Sequence, residues 1–273
     1  MTTIIAHVGD LHVNSSVALM PLEVRKDDGQ VVLASKTQKW LWSNWVKFWA
    51  ETKAYKQKTG AHVIGVINGD WCDMNTHSGF QLIEPNNPDT VIDMMIETVQ
   101  PMRVVCDDIV VVRGTEAHTG GAGWIENRAA QEIGAIKNEN DGTSSWYLWE
   151  AEVDGVRVTS SHHPGTNSSR PWTAGNEANR RAAMDCYNYA GRSWSPNLTL
   201  WGHYHHDADS GDTHPVRAIY NRAWQVKTSF VYRIGMATKF DEIGGLLAFC
   251  KDGKYHIEKR KYALPRAEVW TKN

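Results

Sequence analysis

Five short motifs rich in aspartate and histidine fall in one order along this 273-residue chain: Gly9-Asp10-Leu11-His12, Gly69-Asp70-Trp71-Cys72-Asp73, Gly114-Thr115-Glu116-Ala117-His118, Ser161-His162-His163-Pro164 and Gly202-His203-Tyr204-His205. Most of them follow an apolar, β-branched run, and this constrains the fold strongly. Their side chains are expected to gather at the ends of neighbouring strands. Gathered there, they supply enough carboxylate and imidazole for two metal ions sharing one aspartate, a common apparatus for cleaving a phosphate ester. Oxygen and nitrogen ligation suits Mn, Fe or Zn, and the lack of thiolate ligands argues against a structural zinc site. Residues two apart on an extended chain share a face. Asp10 with His12, and His203 with His205, are therefore expected to point the same way.

The organisation around the motifs begins as strand–helix alternation. Residues 4–8, 62–68 and 109–112 read as buried strands. Ser35 with Gln38 forms a capping box for a helix to about residue 58, stopped by Gly60. In it Trp42, Trp45, Val46 and Trp49 make an apolar stripe at helical spacing, widened by Leu41 and Phe48. Helices are also expected over 88–99, 124–133 and 173–190. Hairpins follow at Asp154-Gly155, between strands 146–153 and 156–160, and at Asp252-Gly253, between 246–250 and 255–259. A short strand over 198–201 aims at Gly202. With no internal repeat and no convincing linker, residues 1–273 read as one domain.

Composition is ordinary for a globular chain, at 41% hydrophobic and 22% charged residues. A formal net charge of -2 makes no overall electrostatic case for nucleic acid or a membrane surface. Cys72, Cys106, Cys186 and Cys250 form no CxxC pair, which fits reduced thiols in a cytoplasmic protein. No apolar stretch is long enough to span a bilayer, and the first residues run into a strand without a charged leader pattern. No G-x-S-x-G and no Walker A pattern is present, so a serine nucleophile and P-loop chemistry have no foothold.

The motif series resembles that of the calcineurin-like metallophosphoesterases: D-x-H, G-D-x-x-D, G-N-H-[DE], a strand-end His and G-H-x-H. The match runs from residue 9 to residue 205, and four of the five blocks fit well. The resemblance implies an α/β fold, a two-sheet β-sandwich flanked by helices, with a dinuclear site at the strand ends. Carried over by position, Asp10, His12 and His205 would hold the first ion, His162 and His203 the second, and Asp70 would bridge them. Asp73 matches the family's second aspartate, a structural hydrogen-bonder. His-x-Pro after the strand favours His162 over His163 as the ligand, leaving His163 to substrate. The third block departs from the family: Thr115 stands at the position of the expected asparagine ligand. Glu116 is the favoured replacement ligand, with Thr115 the alternative, and His118 the favoured general acid.

The implied cofactors are two divalent ions, Mn, Fe or Zn, with Mn expected to support activity in vitro. A water acidified between them would attack phosphorus in line, and His118 would protonate the departing oxygen. The expected substrate is a phosphodiester, with a nucleotide, DNA or RNA among the candidates and no membrane partner. Arg113, His163 and Arg170 are candidate phosphate contacts, and Arg180, Arg181 and Arg192 extend the basic stretch. Trp71, Trp124, Trp172 and Trp194 lie in loops and are candidates for base stacking. The competing readings are a phosphomonoesterase and a non-catalytic scaffold that keeps the fold.

Overall fold

The computed structural model describes residues 2–74, 81–165, 176–233 and 241–265. In chain order the elements are β1 (Thr3–Gly9), β2 (Glu23–Arg25), β3 (Val31–Leu33), α1 (Lys36–Thr59), β4 (His62–Asn68), α2 (Pro88–Thr98), α3 (Gln100–Arg103), β5 (Asp108–Val112), α4 (Glu116–Thr119) and α5 (Trp124–Glu132). They continue as β6 (Trp149–Val153), β7 (Val156–Ser161), α6 (Asn176–Asn188), β8 (Leu198–Trp201), β9 (Ala208–Asp209), β10 (Arg217–Tyr220), α7 (Ser229–Arg233), β11 (Ile243–Lys251) and β12 (Lys254–Tyr262). The strand foreseen over 146–153 begins only at Trp149, because Trp146 makes a single bridge to Val112 instead. The first three residues of the helix foreseen over 173–190 lie outside the described residues.

Two five-stranded sheets carry the fold, in the orders β12-β11-β1-β4-β5 and β6-β7-β8-β10-β9. In the first, β1, β4 and β5 run parallel, and in the second β7, β8 and β10 do. Parallel strands buried on both faces read as continuous apolar runs, which is how β1 appears, with every residue buried. Its residues nevertheless divide by parity. Ile5, with Val66 and Val110, faces Val158, Leu198 and Ile219 of the second sheet. Ile4, Ala6 and Val8 face the helices instead, packing with Trp45, Phe48 and Met95. On the far side of the second sheet, Ala178 and Ala182 of α6 cover Trp201, Ala218 and Tyr220. The result is a two-sheet sandwich with helices on both outer faces, as the motif resemblance implies.

Local signals explain the element ends. Ser35 accepts the Gln38 N–H while the Gln38 side chain accepts the Ser35 N–H, so the capping box closes. Both hairpin turns take positive φ at each central residue, Asp154 and Gly155, then Asp252 and Gly253, the conformation of the tight I′ turn. Trp45 packs edge-on to Trp49 and Trp224 at 5.3 and 4.9 Å between ring centroids. Val46 is 40% exposed, so the tryptophan stripe is core on one side only. No helix among the described residues is long and apolar enough to cross a membrane.

One buried side chain ties the strand ends together. Glu126 of α5 has no exposed surface. One of its carboxylate oxygens accepts the Trp71 N–H at 2.9 Å and the other the Gly114 N–H at 2.7 Å. It thereby clamps the loops after β4 and β5. Burial pushes its carboxyl up to about 7 even though both N–H groups favour the anion. Glu126→Gln would turn an amide NH2 toward one of two N–H donors. An unsatisfied buried group costs about 1–3 kcal/mol, so the variant should unfold at lower urea with chelator present, and an unchanged midpoint would remove the clamp from the stability of the fold.

Candidate metal centre

All five motifs follow strands, at the ends of β1, β4, β5, β7 and β8. Because these strands run parallel within each sheet, their carboxyl ends open on one edge of the sandwich, the usual location of a site in such sheets. The loops beyond the strands stay zipped together. The Asp10 N–H reaches the Gly69 carbonyl at 3.0 Å, the His12 N–H the Asp70 carbonyl at 2.9 Å, and the Gly69 N–H the Val112 carbonyl at 2.9 Å. This packing leaves no space for side chains at the glycines. A Cβ on Gly69 (φ +65°) would run into the His162 ring, and one on Gly114 into Asp70.

Asp10, His12 and His205 converge as one ligand group, and Asp10, Asp70 and His162 as another. His205 Nε2 lies 3.1 Å from His12 Nε2 and 3.2 Å from Asp10 Oδ1. His162 Nε2 lies 3.1 Å from Asp70 Oδ2 and 3.9 Å from Asp10 Oδ1. The convergence does not arise as expected, from extended chain. Asp10, His12, Asp70, His203 and His205 all have positive φ, between 46° and 75°. Non-glycine residues rarely adopt this region, and strain of this kind clusters where a structure holds side chains for function. The left-handed turns fold each loop back so that alternate side chains meet above the strand ends.

The donor set fits divalent cations. His162 donates from Nδ1 to the Asn68 carbonyl at 3.0 Å, which leaves Nε2 buried and turned to Asp70 Oδ2 at 3.1 Å. Against the effect of burial, Asp70 and Asp10 push this imidazole up to about 10, so the carboxylate pair favours a positive charge at that point. Burial raises Asp10 and Asp70, yet the histidines His205 and His162 around them hold both below the usual carboxylate range. Burial and the neighbouring His162 push His203 down to about 4 and lower His163, keeping both imidazoles neutral.

Asp73 is buried beside this cluster. One oxygen accepts from His12 Nδ1 at 2.8 Å and from His118 Nδ1 at 2.6 Å. A single carboxylate thus orients two imidazoles and turns both Nε2 atoms inward, the outer partner that metal-binding histidines usually have. His118 Nε2 lies 3.9 Å from Asp70 Oδ2, and its ring meets that of His12 edge-on at 4.6 Å.

Glu116 is not brought to the cluster, contrary to the expectation that it replaces the missing asparagine. It is exposed and accepts the Ala122 N–H at 3.1 Å. The reason is the short helix α4: two residues apart in a helix differ by about 200°, so Glu116 and His118 cannot both face the site. His118 faces it. Thr115 stands at the cluster instead, its backbone N–H donating to Asp70 Oδ1 at 2.6 Å.

The candidate phosphate and base contacts divide. His163 joins the cluster, grouped with His162 and His203. Arg113 is 9% exposed, with Nε donating to Ser145 at 2.9 Å and its guanidinium 4.4 Å from the centre of the Tyr147 ring. It is committed to these neighbours. Arg170 and Trp172 lie outside the described residues. Arg181 donates to the Pro164 carbonyl at 2.8 Å and covers the Trp201 ring. Trp71 is fully buried in the core and has no face to offer a base, whereas Trp124 is 46% exposed.

Asn68 and Glu126 hold the site and were not foreseen. Asn68 donates to Ser160 Oγ at 2.7 Å and to the Ser161 carbonyl at 3.1 Å, joining the two sheets directly beneath His162. His7, buried and pushed down to about 3 mainly by that burial, lies 3.0 Å from the same amide. The only hint in the sequence is a polar residue interrupting an apolar strand, at His7 and at Asn68.

No family model matches the sequence, and no curated protein matches it. Among solved structures the chain is similar to Vps29 of Chaetomium thermophilum, at 11% identity over 96% of this chain and 100% of that one, with a TM-score of 0.39. It is also similar to a dimetal phosphatase from Danio rerio, at 9% identity over 95% of this chain and 96% of that one, with a TM-score of 0.45. Likeness at this level carries no activity across. What the chain itself shows is the helix-flanked two-sheet sandwich implied by its resemblance to the calcineurin-like metallophosphoesterases, with its Asp and His motifs on one edge.

Proposed function

We propose that this chain is a dinuclear-metal phosphoesterase acting on a phosphodiester. One observation carries the reading: two ligand groups lie side by side and share Asp10, and Asp70 interacts with His162 on one side and with His118 and His12 on the other. Asp10, His12 and His205 would hold the first ion, and His162 and His203 the second, with Asp70 between them. Two such ions, when bound, supply Lewis acidity toward the phosphoryl oxygens and an acidified water.

The remaining work belongs to the chain's own side chains. Asp73 accepts from His118 Nδ1 and so keeps Nε2 aimed at the cluster, where the departing oxygen of a bound ester would sit. From there His118 hands its Nε2 proton to the leaving group, and Asp73 stabilises the imidazolium before the transfer. Asp73 also fixes His12, so one carboxylate sets both a ligand and the acid. The Thr115 N–H holds Asp70 Oδ1, leaving Oδ2 directed at His162.

Hydrolysis of bis-p-nitrophenyl phosphate and p-nitrophenyl phosphate with Mn²⁺ tests this reading. Asp70→Asn should abolish diester turnover and lower the content of both ions, and full turnover in the variant would end the bridging assignment. His118→Ala should slow an alkyl or nucleoside ester by about 10²–10⁴, the usual worth of a general acid, while barely affecting nitrophenolate release. Equal losses on both leaving groups would exclude His118 as the acid.

A further inference from the structure

We propose that His163 is a ligand of the second ion, so that this position is built from three imidazoles and Asp70. The inference rests on the dinuclear reading above and adds to its ligand set. His162, His163 and His203 present ring nitrogens that all lie within 4.8 Å of one another. The His163 ring stands perpendicular to His162 at 4.8 Å and tilted to His203 at 4.5 Å. What distinguishes the group is that its ring nitrogens, and not only its ring faces, come together.

Thr115 marks that meeting point. Its hydroxyl lies 3.0 Å from His163 Nε2, 3.2 Å from Asp70 Oδ2 and 3.4 Å from His203 Nδ1. The hydroxyl can donate to Asp70 and accept from the two imidazoles, so these polar atoms converge on one small space. A divalent cation in that space would draw on the same carboxylate oxygen and imidazole nitrogens, and on His162 Nε2, which is buried 3.1 Å from Asp70 Oδ2. Thr115 is short and Glu116 is turned away, so His163 is the side chain from the facing wall that reaches this space. Its backbone follows directly on His162, and its outer surface is exposed.

The ligand count has a chemical consequence. With Asp70 shared, the first position offers two imidazoles and two carboxylates, whereas the second would offer three imidazoles and one carboxylate. Imidazole-rich sites favour zinc-like ions, and oxygen-rich sites favour manganese and magnesium. The second position would therefore lean further than the first toward zinc-like ions.

Zn²⁺ titration of the full-length apo-protein, followed calorimetrically and by bound-metal analysis, tests this. The wild type should take up two ions. His163→Ala should retain one and bind the other more than about a hundredfold more weakly, beyond the 10–100-fold that loss of an outer partner costs. Thr115→Asn in the His163→Ala background should restore the second ion, because a longer side chain from residue 115 brings a neutral oxygen into the same space. His163 is exposed, so metal-free unfolding of the variant should match the wild type. A His163→Ala protein that binds two ions with wild-type affinity overturns the assignment, even if its KM for the diester rises, and leaves the dinuclear reading intact. A wild type that binds fewer than two ions overturns both.

Discussion

The site depends on a small polar seam between two sheets whose interface is mostly apolar, made by Asn68 together with His7, Ser160 and Asn221. Asn68 ends β4 in the first sheet, and its amide reaches Ser160 Oγ and the Ser161 carbonyl of β7 in the second. Its own carbonyl receives His162 Nδ1. Apolar packing among Ile5, Val66, Val158 and Leu198 brings the sheets together without choosing a register, since the hydrophobic effect is non-directional. The amide supplies direction. With Asn68 in place the carboxyl ends of both sheets face each other at hydrogen-bonding distance, and ligands from separate sheets can share an ion.

The loops above those ends combine strain with tight packing. Five non-glycine motif residues adopt positive φ, and glycine is needed at Gly69 and Gly114 because the neighbouring ring and carboxylate leave no space for a Cβ. Glu126 offsets part of this cost by accepting N–H groups from two loops at once. The electrostatics follow the same logic. Asp10, Asp70 and Asp73 are all buried and all held ionised by histidines around them. Such a concentration of buried negative charge is costly unless it is paired, and bound cations would complete the pairing.

A departure in one motif changes the distribution of roles without dismantling the site. Gly114-Thr115-Glu116-Ala117-His118 places a helical turn, α4, where the chain leaves β5. The turn sends Glu116 outward and brings His118 against Asp73. Residue 115 is left with a short hydroxyl at the cluster, and the space it does not fill faces His163. In the proposed ligand set compensation would come from the opposite wall, out of sight of any comparison made motif by motif.

Much of the fold was legible because its signals are local. Apolar β-branched runs, the Ser35 capping box and the two Asp-Gly turns name strands, a helix start and hairpins through interactions within a few residues. The order of Asp and His motifs after those strands likewise pointed to the edge on which most of these side chains gather. Their orientations were a matter for the tertiary structure. Asp10 and His12 meet their partners through left-handed backbone, not through the extended geometry their spacing suggests. Trp71 looked like a loop aromatic and is core. Asn68 acts on Ser160 from 92 residues away in the chain. Which side chain faces an ion depends on loop dihedrals and on contacts between distant segments, and neither is encoded in the spacing of a motif.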